Sequence, residues 1–291
     1  MFDIPIIDAH LHLWDTNNLS YPWLKNYPIL NRPFLLPDYE KDSASYDIEG
    51  MIFIQCEADV SQAMDEARWV AGLAEENHKI RAIIPWAPLE KGEDSRPFLQ
   101  ELSRIPLVKG VRRIIQYEED PDFCIQPAFV RGVKGLADFD LSFDICISHR
   151  HLANTIRMVE QCPQVRFVLD HIGKPDIKNR LFHPWMEELD RLARFSNVYC
   201  KISGLITEAD NNKWLKEDLK PYLDQVIKCF GIDRVLFGGD WPMVNLAGDF
   251  SRWLNALQWA LSGCSRAELK RIFRDNAVRF YKLNKNNRLR L

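Results

Sequence analysis

The 291-residue sequence predicts an α/β protein, a single (β/α)8 barrel of the TIM type. Three observations predict this fold. Short apolar runs rich in Ile, Val and Phe occur eight times, most are followed by an amphipathic stretch, and the repeat is about 30 residues long. Continuous rather than alternating hydrophobicity is typical of strands buried on both faces, as in parallel sheets. An open sheet would give a similar pattern, but eight repeats favour a closed barrel.

The eight apolar runs are the predicted strands, at 4–10, 50–56, 80–86, 108–115, 142–148, 165–171, 197–203 and 234–240. A helix is predicted over 61–79, where apolar residues recur at spacings of three and four. Weaker helical patterns follow strands three to eight. An extra C-terminal helix is predicted over 265–283, with Ser265 and Glu268 forming a capping box at its start.

Residues 14–48, between the first two predicted strands, interrupt the repeat. This segment contains the sequence SYPWL (20–24) and three further prolines, and it shows no convincing long helix. A long loop inside a compact domain is usually functional, for example as a binding loop or lid. Because no linker rich in Gly, Pro or Ser interrupts the chain, we expect one domain over 1–291, ending in a mobile tail at 285–291.

Composition excludes several kinds of partner. The net charge of −3 and the pI near 6.2 argue against a nucleic-acid-binding surface, which needs concentrated positive charge. We expect no membrane span or signal peptide, because no long uncharged apolar run and no basic N-terminal region occur. The seven cysteines are an odd number and include no CxxC pair, which indicates a reduced, cytoplasmic protein. The oligomeric state stays open.

The first predicted strand ends in a His-x-His pair within IIDAHLHLWD (6–15). Alternate residues of a strand share a face, so His10 and His12 could converge on one metal ion or one substrate oxygen. Asp8 would share their face, while Ala9 and Leu11 would point the other way. The alternative interpretation is a pair of core histidines bonded to backbone carbonyls.

Polar residues follow most of the predicted strands, where barrel enzymes build their active sites. They include four of the seven histidines. The set is His10, His12, Gln55, Glu57, Trp86, Arg112, Arg113, Ser148, His149, Asp170, His171, Lys201, Ser203 and Asp240.

Three motifs resemble the amidohydrolase superfamily: IIDAHLHLWD, VLDHIGKP (168–175) and VLFGGDWP (235–242). More narrowly, the sequence resembles the branch of sugar-lactone hydrolases, such as L-fuconolactonases and L-rhamnonolactonases. SYPWL, KGVRR, CKISGL and DNAVRFY strengthen the resemblance, which spans residues 6 to 281.

The resemblance implies hydrolysis of a small-molecule sugar lactone at a site formed by His10, His12, His171 and Asp240. Asp240 would be the general base for water, because lactone opening needs a group that takes a proton from water. Strand four carries Arg112 instead of the carboxylated lysine or glutamate of binuclear relatives. The resemblance therefore implies at most one divalent ion, for which zinc suits the ligands, or a metal-independent enzyme.

Four further residues are candidates for the site. Arg112 and Lys201 could bind substrate or form structural ion pairs, Trp23 could line the pocket or pack, and His149 could reach the site from beyond strand five. The alternative functions are hydrolysis of a pyrone or muconolactone dicarboxylate, a metal-dependent decarboxylase, and a non-catalytic barrel.

Overall fold

Eight parallel strands form the centre of the molecule in this computed structural model, which describes residues 3–283. All eight predicted strands are present. They are β1 (Ile6–Leu11), β2 (Ile48–Ile54), β3 (Ile80–Ile84), β4 (Gly110–Ile114), β5 (Ser142–Cys146), β6 (Phe167–Leu169), β7 (Val198–Ile202) and β8 (Val235–Phe237). The predicted tail at 285–291 lies outside the described residues.

Backbone hydrogen bonds join the strands into a closed (β/α)8 barrel, as predicted. Two parallel sheets, β1–β3 and β4–β8, account for the pairing of neighbours. At one seam the Ile83 amide donates to the Leu107 carbonyl at 2.8 Å. At the other, the His12 amide donates to the Trp241 carbonyl and the Asp240 amide to the His10 carbonyl, both at 2.8 Å.

Helices separate the strands along the chain. They are α1 (Leu36–Asp42), α2 (Ala63–Glu76), α3 (Arg96–Leu102), α4 (Pro127–Gly135), α5 (Leu152–Gln161), α6 (Trp185–Ala193), α7 (Lys216–Phe230), α8 (Phe250–Ala260), α9 (Arg266–Lys270) and α10 (Asn276–Phe280). Within residues 3–283, no helix is long and apolar enough to cross a membrane.

The segment between β1 and β2 is largely irregular, as predicted. It contains one short 3-10 helix (Pro22–Asn26) and the seven-residue α1. Trp14 and Phe34 exchange backbone hydrogen bonds of 2.9 and 3.0 Å, and their rings pack edge to face. These contacts hold the loop over the end of the barrel.

The C-terminal helical segment closes the opposite end of the barrel. It consists of α9, a π-helical turn (Arg271–Asp275) and α10, and the predicted capping box is present at Ser265. Arg274 pairs with Glu49 at the start of β2, and Asn276 donates to the carbonyl of Val235 at the start of β8. This segment therefore lies against the N-terminal ends of the strands.

Apolar side chains fill the lower half of the barrel. Eight side chains from the strands pack against Phe280 and Tyr281 at the end of the C-terminal segment: Ile7, Ala9, Ile52, Ile54, Ala82, Ile84, Val168 and Leu236. A much larger core lies between the strands and the surrounding helices. The upper, C-terminal half of the interior is consequently the part left for polar groups.

The predicted facing of residues in β1 is wrong at Ala9. Ala9 packs inside the barrel with Ile7, whereas Leu11 belongs to the outer core. Asp8 instead receives a 2.9 Å hydrogen bond from Tyr39 of α1. The reason is a register shift between Asp8 and Leu11, which breaks strict alternation.

Candidate active site

Four side chains from three strand ends meet at the C-terminal end of the barrel. His10 and His12 lie at the end of β1, His171 follows β6, and Asp240 follows β8. Asp240 Oδ1 lies 3.7 Å from His10 Nε2 and 3.5 Å from His12 Nε2. Its Oδ2 lies 4.0 Å from His171 Nδ1. All four residues are buried.

Hydrogen bonds fix which nitrogen of each imidazole faces the others. His12 Nδ1 donates to the Ile54 carbonyl at 2.8 Å, so in the neutral ring Nε2 carries the lone pair. Arg112 Nη1 lies 3.2 Å from His10 Nε2, and a guanidinium can only donate. His10 Nε2 therefore also presents a lone pair. The two Nε2 atoms are 3.2 Å apart.

This arrangement fits a divalent metal ion. His10, His12 and Asp240 present three electron-pair donors to one point, at mutual separations of 3.2 to 3.7 Å. Ligands bound about 2.1 Å from a tetrahedral ion lie about 3.4 Å from one another. The bond from His12 to the Ile54 carbonyl is the outer contact that orients a metal-binding imidazole. Arg112 would compete with the ion for His10, because its guanidinium donates to the same lone pair on Nε2.

A left-handed turn presents His171 to the site. Residues His171, Ile172, Gly173 and Lys174 all have positive φ, at 53°, 51°, 75° and 47°. A β-branched residue such as Ile172 is rare in this region, and strained backbone of this kind clusters at functional sites. Ser203 Oγ lies 2.9 Å from His171 Nδ1 and helps to orient the ring.

The charges around the site keep Asp240 ionised and the imidazoles neutral. Burial raises the pKa of Asp240, but its surroundings, which include the Lys174 ammonium, lower it more, and its pKa lies below the ordinary value. Burial, with the nearby cations of Lys201 and Arg112, holds the pKa of His10 well below its ordinary value. The site thus combines a carboxylate with neutral nitrogen donors at pH 7.

Arg112 and Lys201 lie inside the barrel and not on its rim. Arg112 donates to the Gln55 carbonyl at 2.5 Å and lies 3.5 Å from Asp170. Lys201 is fully buried, with its ammonium 2.6 Å from Asp144 and 3.0 Å from Asp170. For Lys201, this burial favours the structural interpretation over direct substrate binding.

Trp23 and His149 lie in the loops around the site. Trp23 is half-buried, donates to the Cys56 carbonyl at 2.7 Å and packs edge to face on Trp14. His149 follows β5 in a 3-10 turn, and its Nδ1 bonds to the Lys174 carbonyl at 3.0 Å. Both have structural partners, and their part in substrate binding stays a prediction.

Sequence reasoning missed four residues at or below the site. Lys174 pairs with Glu208 at 3.7 Å. Asp144 and Tyr281 join Lys201 in the interior. Lys174 stands in the quoted motif VLDHIGKP, three residues after His171, so its proximity could have been found; Glu208 lies in a loop without any distinguishing pattern.

A closed barrel with a His-x-His pair, a third histidine and an aspartate at its C-terminal end defines a barrel of the amidohydrolase class. The family model described as Amidohydrolase matches residues 7–283, and the chain belongs to this family.

Relatives of assigned activity are similar over nearly the whole chain. An L-fucono-1,5-lactonase of Burkholderia ambifaria is 29% identical, covering 96% of each chain. An L-rhamnono-gamma-lactonase of Scheffersomyces stipitis is 24% identical, covering 96% of this chain and 98% of its own. The crystal structure of an amidohydrolase from Burkholderia multivorans with bound zinc has a TM-score of 0.86 at 27% identity, covering 96% of this chain and 99% of that one.

Proposed function

We propose that the protein hydrolyses a cyclic ester, namely a sugar aldonolactone of the L-fuconolactone or L-rhamnonolactone type. The observation that carries the proposal is the carboxylate of Asp240, buried, ionised and surrounded by His10, His12 and His171. The similarity to an L-fucono-1,5-lactonase over 96% of the chain supports the same reaction.

In this mechanism Asp240 takes a proton from the attacking water. The carbonyl oxygen of the lactone gains negative charge as the water adds, and donors at its position lower the barrier. His171 would donate there, and the buried guanidinium of Arg112, 3.2 Å from His10 Nε2, would add positive charge behind His10. Protonated Asp240 then returns the proton to the ring oxygen that leaves as an alkoxide, so one residue acts as base and then as acid.

We further propose one divalent ion, with zinc the best match to two imidazoles and a carboxylate. His10, His12 and Asp240 would hold it, with His171 beside them. When bound, such an ion supplies Lewis-acid polarisation and lowers the pKa of water. The zinc found in the Burkholderia multivorans structure supports this assignment. The alternative is a metal-independent enzyme in which Arg112 supplies the positive charge.

Charge pairing favours a neutral sugar lactone over a pyrone or muconolactone dicarboxylate. A dicarboxylate needs cations that are free to bind it. The three cations nearest the site already face carboxylates: Arg112 faces Asp170, Lys201 faces Asp144 and Lys174 faces Glu208. The Lys174–Glu208 pair instead offers a donor and an acceptor, which suits hydroxyl groups.

A panel of lactones tests the proposal. Acid release from aldonolactones of deoxy-hexoses and pentoses would be followed with a pH indicator, beside a pyrone dicarboxylate and an aromatic carboxylic acid for decarboxylation. We expect turnover of at least one sugar lactone. Turnover restricted to the dicarboxylate or the aromatic acid would identify one of the alternative functions, and no turnover of any sugar lactone would contradict the proposal.

A further inference from the structure

A line of buried polar groups connects the C-terminal segment to His10 through the interior of the barrel. The Tyr281 hydroxyl donates to Asp144 Oδ2 at 2.6 Å, and Lys201 Nζ donates to the same oxygen at 2.6 Å. Lys201 also lies 3.0 Å from Asp170 Oδ1, which in turn lies 3.4 Å from His10 Nδ1. The line therefore runs from the N-terminal end of the barrel to the candidate active site.

The charges along this line are fully buried and balanced. Asp144, Asp170 and Lys201 have no exposed surface, and Arg112 is 3% exposed. Two cations, Lys201 and Arg112, match the two carboxylates. Burying an ion costs several kcal/mol. Apolar residues of similar volume often stabilise a fold as much as a buried ion pair does, or more. The barrel floor directly below is apolar, so packing alone does not explain why this layer is ionic.

The line ends on the nitrogen of His10 that faces away from Asp240. Because Arg112 donates to His10 Nε2, the hydrogen of the neutral ring is on Nδ1. Asp170 Oδ1 and Lys201 Nζ both lie 3.4 Å from His10 Nδ1, and of the two only the carboxylate can accept that hydrogen. Asp170 is therefore the acceptor available to the tautomer in which His10 Nε2 turns its lone pair toward His12 and Asp240.

We propose that Tyr281, Asp144 and Lys201 are positioning residues for His10. Tyr281 holds Asp144, Asp144 holds Lys201, and Lys201 holds Asp170 in the orientation that accepts the His10 Nδ1 hydrogen. The C-terminal segment is then part of the support of a site at the other end of the barrel. The expected effect on lactone turnover rests on the proposed function. The expected effect on the tautomer of His10 does not.

Tyr281→Phe tests this proposal, because it removes the hydroxyl and keeps the ring in the apolar floor. Tyr199→Phe is the matched control: Tyr199 is a half-buried residue of β7 that packs on Phe280 near the same floor. The first readout is the ¹⁵N NMR spectrum of the histidines in the full-length, metal-free protein, with the His10 signals assigned by comparison with His10→Gln. We expect the wild type and the control to show His10 protonated at Nδ1, and Tyr281→Phe to show both tautomers in exchange.

The second readout is zinc affinity, measured by competition with a chromogenic chelator. We expect Tyr281→Phe to weaken zinc binding about 10-fold, the size typical of outer-shell changes, and to lower kcat with KM nearly unchanged. Asp144→Asn provides a second variant with the same expected direction if Tyr281→Phe does not fold. Identical His10 signals and zinc affinity in Tyr281→Phe and the wild type would overturn the proposal. Loss of lactone turnover in every protein, with the NMR difference intact, would overturn the proposed function alone.

Discussion

His12 and Asp240 face each other across the seam at which the first and last strands of the barrel meet. Their side chains approach to 3.5 Å, between His12 Nε2 and Asp240 Oδ1. Directly beside them, the His12 amide donates to the Trp241 carbonyl at 2.8 Å. The hydrogen bonds that close the barrel therefore also set the spacing of the candidate catalytic groups. The site depends on the pairing of the first and last strands.

Gly204 gives His171 and Asp240 the space they occupy. A Cβ at Gly204 would lie 2.5 Å from His171 Nδ1 and 2.9 Å from Asp240 Oδ2. We expect Gly204→Ala to reduce turnover at least 10-fold, since 1 Å of misplacement can cost about 100-fold. The residue also has φ of 64°, so we expect a loss of about 1–2 kcal/mol in the free energy of unfolding.

Gly231 provides the control for backbone strain. Its φ is 65°, and a Cβ there would meet nothing within 4 Å. Gly231→Ala should also lose stability, because φ 65° with ψ 176° is a backbone conformation essentially limited to glycine, and it should retain full turnover. Equal turnover in the two variants, measured as initial rates with the substrate found in the lactone panel, would show that contact with His171 and Asp240 is unimportant.

Metal content distinguishes the two forms of the proposed mechanism. We expect about one equivalent of zinc per chain by elemental analysis, loss of turnover after dialysis against a chelator, and recovery when zinc is added. His12→Gln should lower the zinc content, because it removes one of the three converging donors. Full turnover in a chelated protein free of metal would instead support the metal-independent enzyme.

Glu66 makes the stability of the fold fall as the pH rises from about 4.5 to about 8. Its side chain lies in α2, is 1% exposed and accepts from the Cys56 amide at 3.1 Å. Burial raises the pKa of Glu66 to about 8. Between its ordinary pKa and 8, the folded state keeps a proton that the unfolded state releases, so rising pH favours unfolding.

We expect the free energy of unfolding of the wild type to fall with pH in this window, by up to about 1.4 kcal/mol per pH unit relative to Glu66→Gln. Urea titrations between pH 5 and pH 9 measure the slope. Glu75→Gln, an exposed change in the same helix, should keep the wild-type slope. Parallel slopes for the wild type and Glu66→Gln would show that Glu66 is ionised throughout.

Sequence patterns predict much of this architecture, because a parallel barrel places a simple pattern of apolar and polar residues along the chain. Strands buried on both faces give continuous apolar runs, and the polar residues after them must meet at one end. His10, His12, His171 and Asp240 were found this way and by resemblance. Ala9 was misassigned because a register shift has no clear sequence signal. Asp144, Lys201 and Tyr281 were not connected, because their contacts depend on which side chains point inward from three distant segments.

The initial rate of lactone hydrolysis by Asp240→Asn tests the central claim most directly. Asparagine preserves the shape of the side chain and removes its capacity to accept a proton from water. Asp190→Asn, a change in α6 at a residue that pairs with Arg194, serves as the control. With the folded state verified by circular dichroism, we predict a fall in kcat of at least about 100-fold for Asp240→Asn and the parent rate for the control. Hydrolysis by Asp240→Asn at the parent rate would contradict the account.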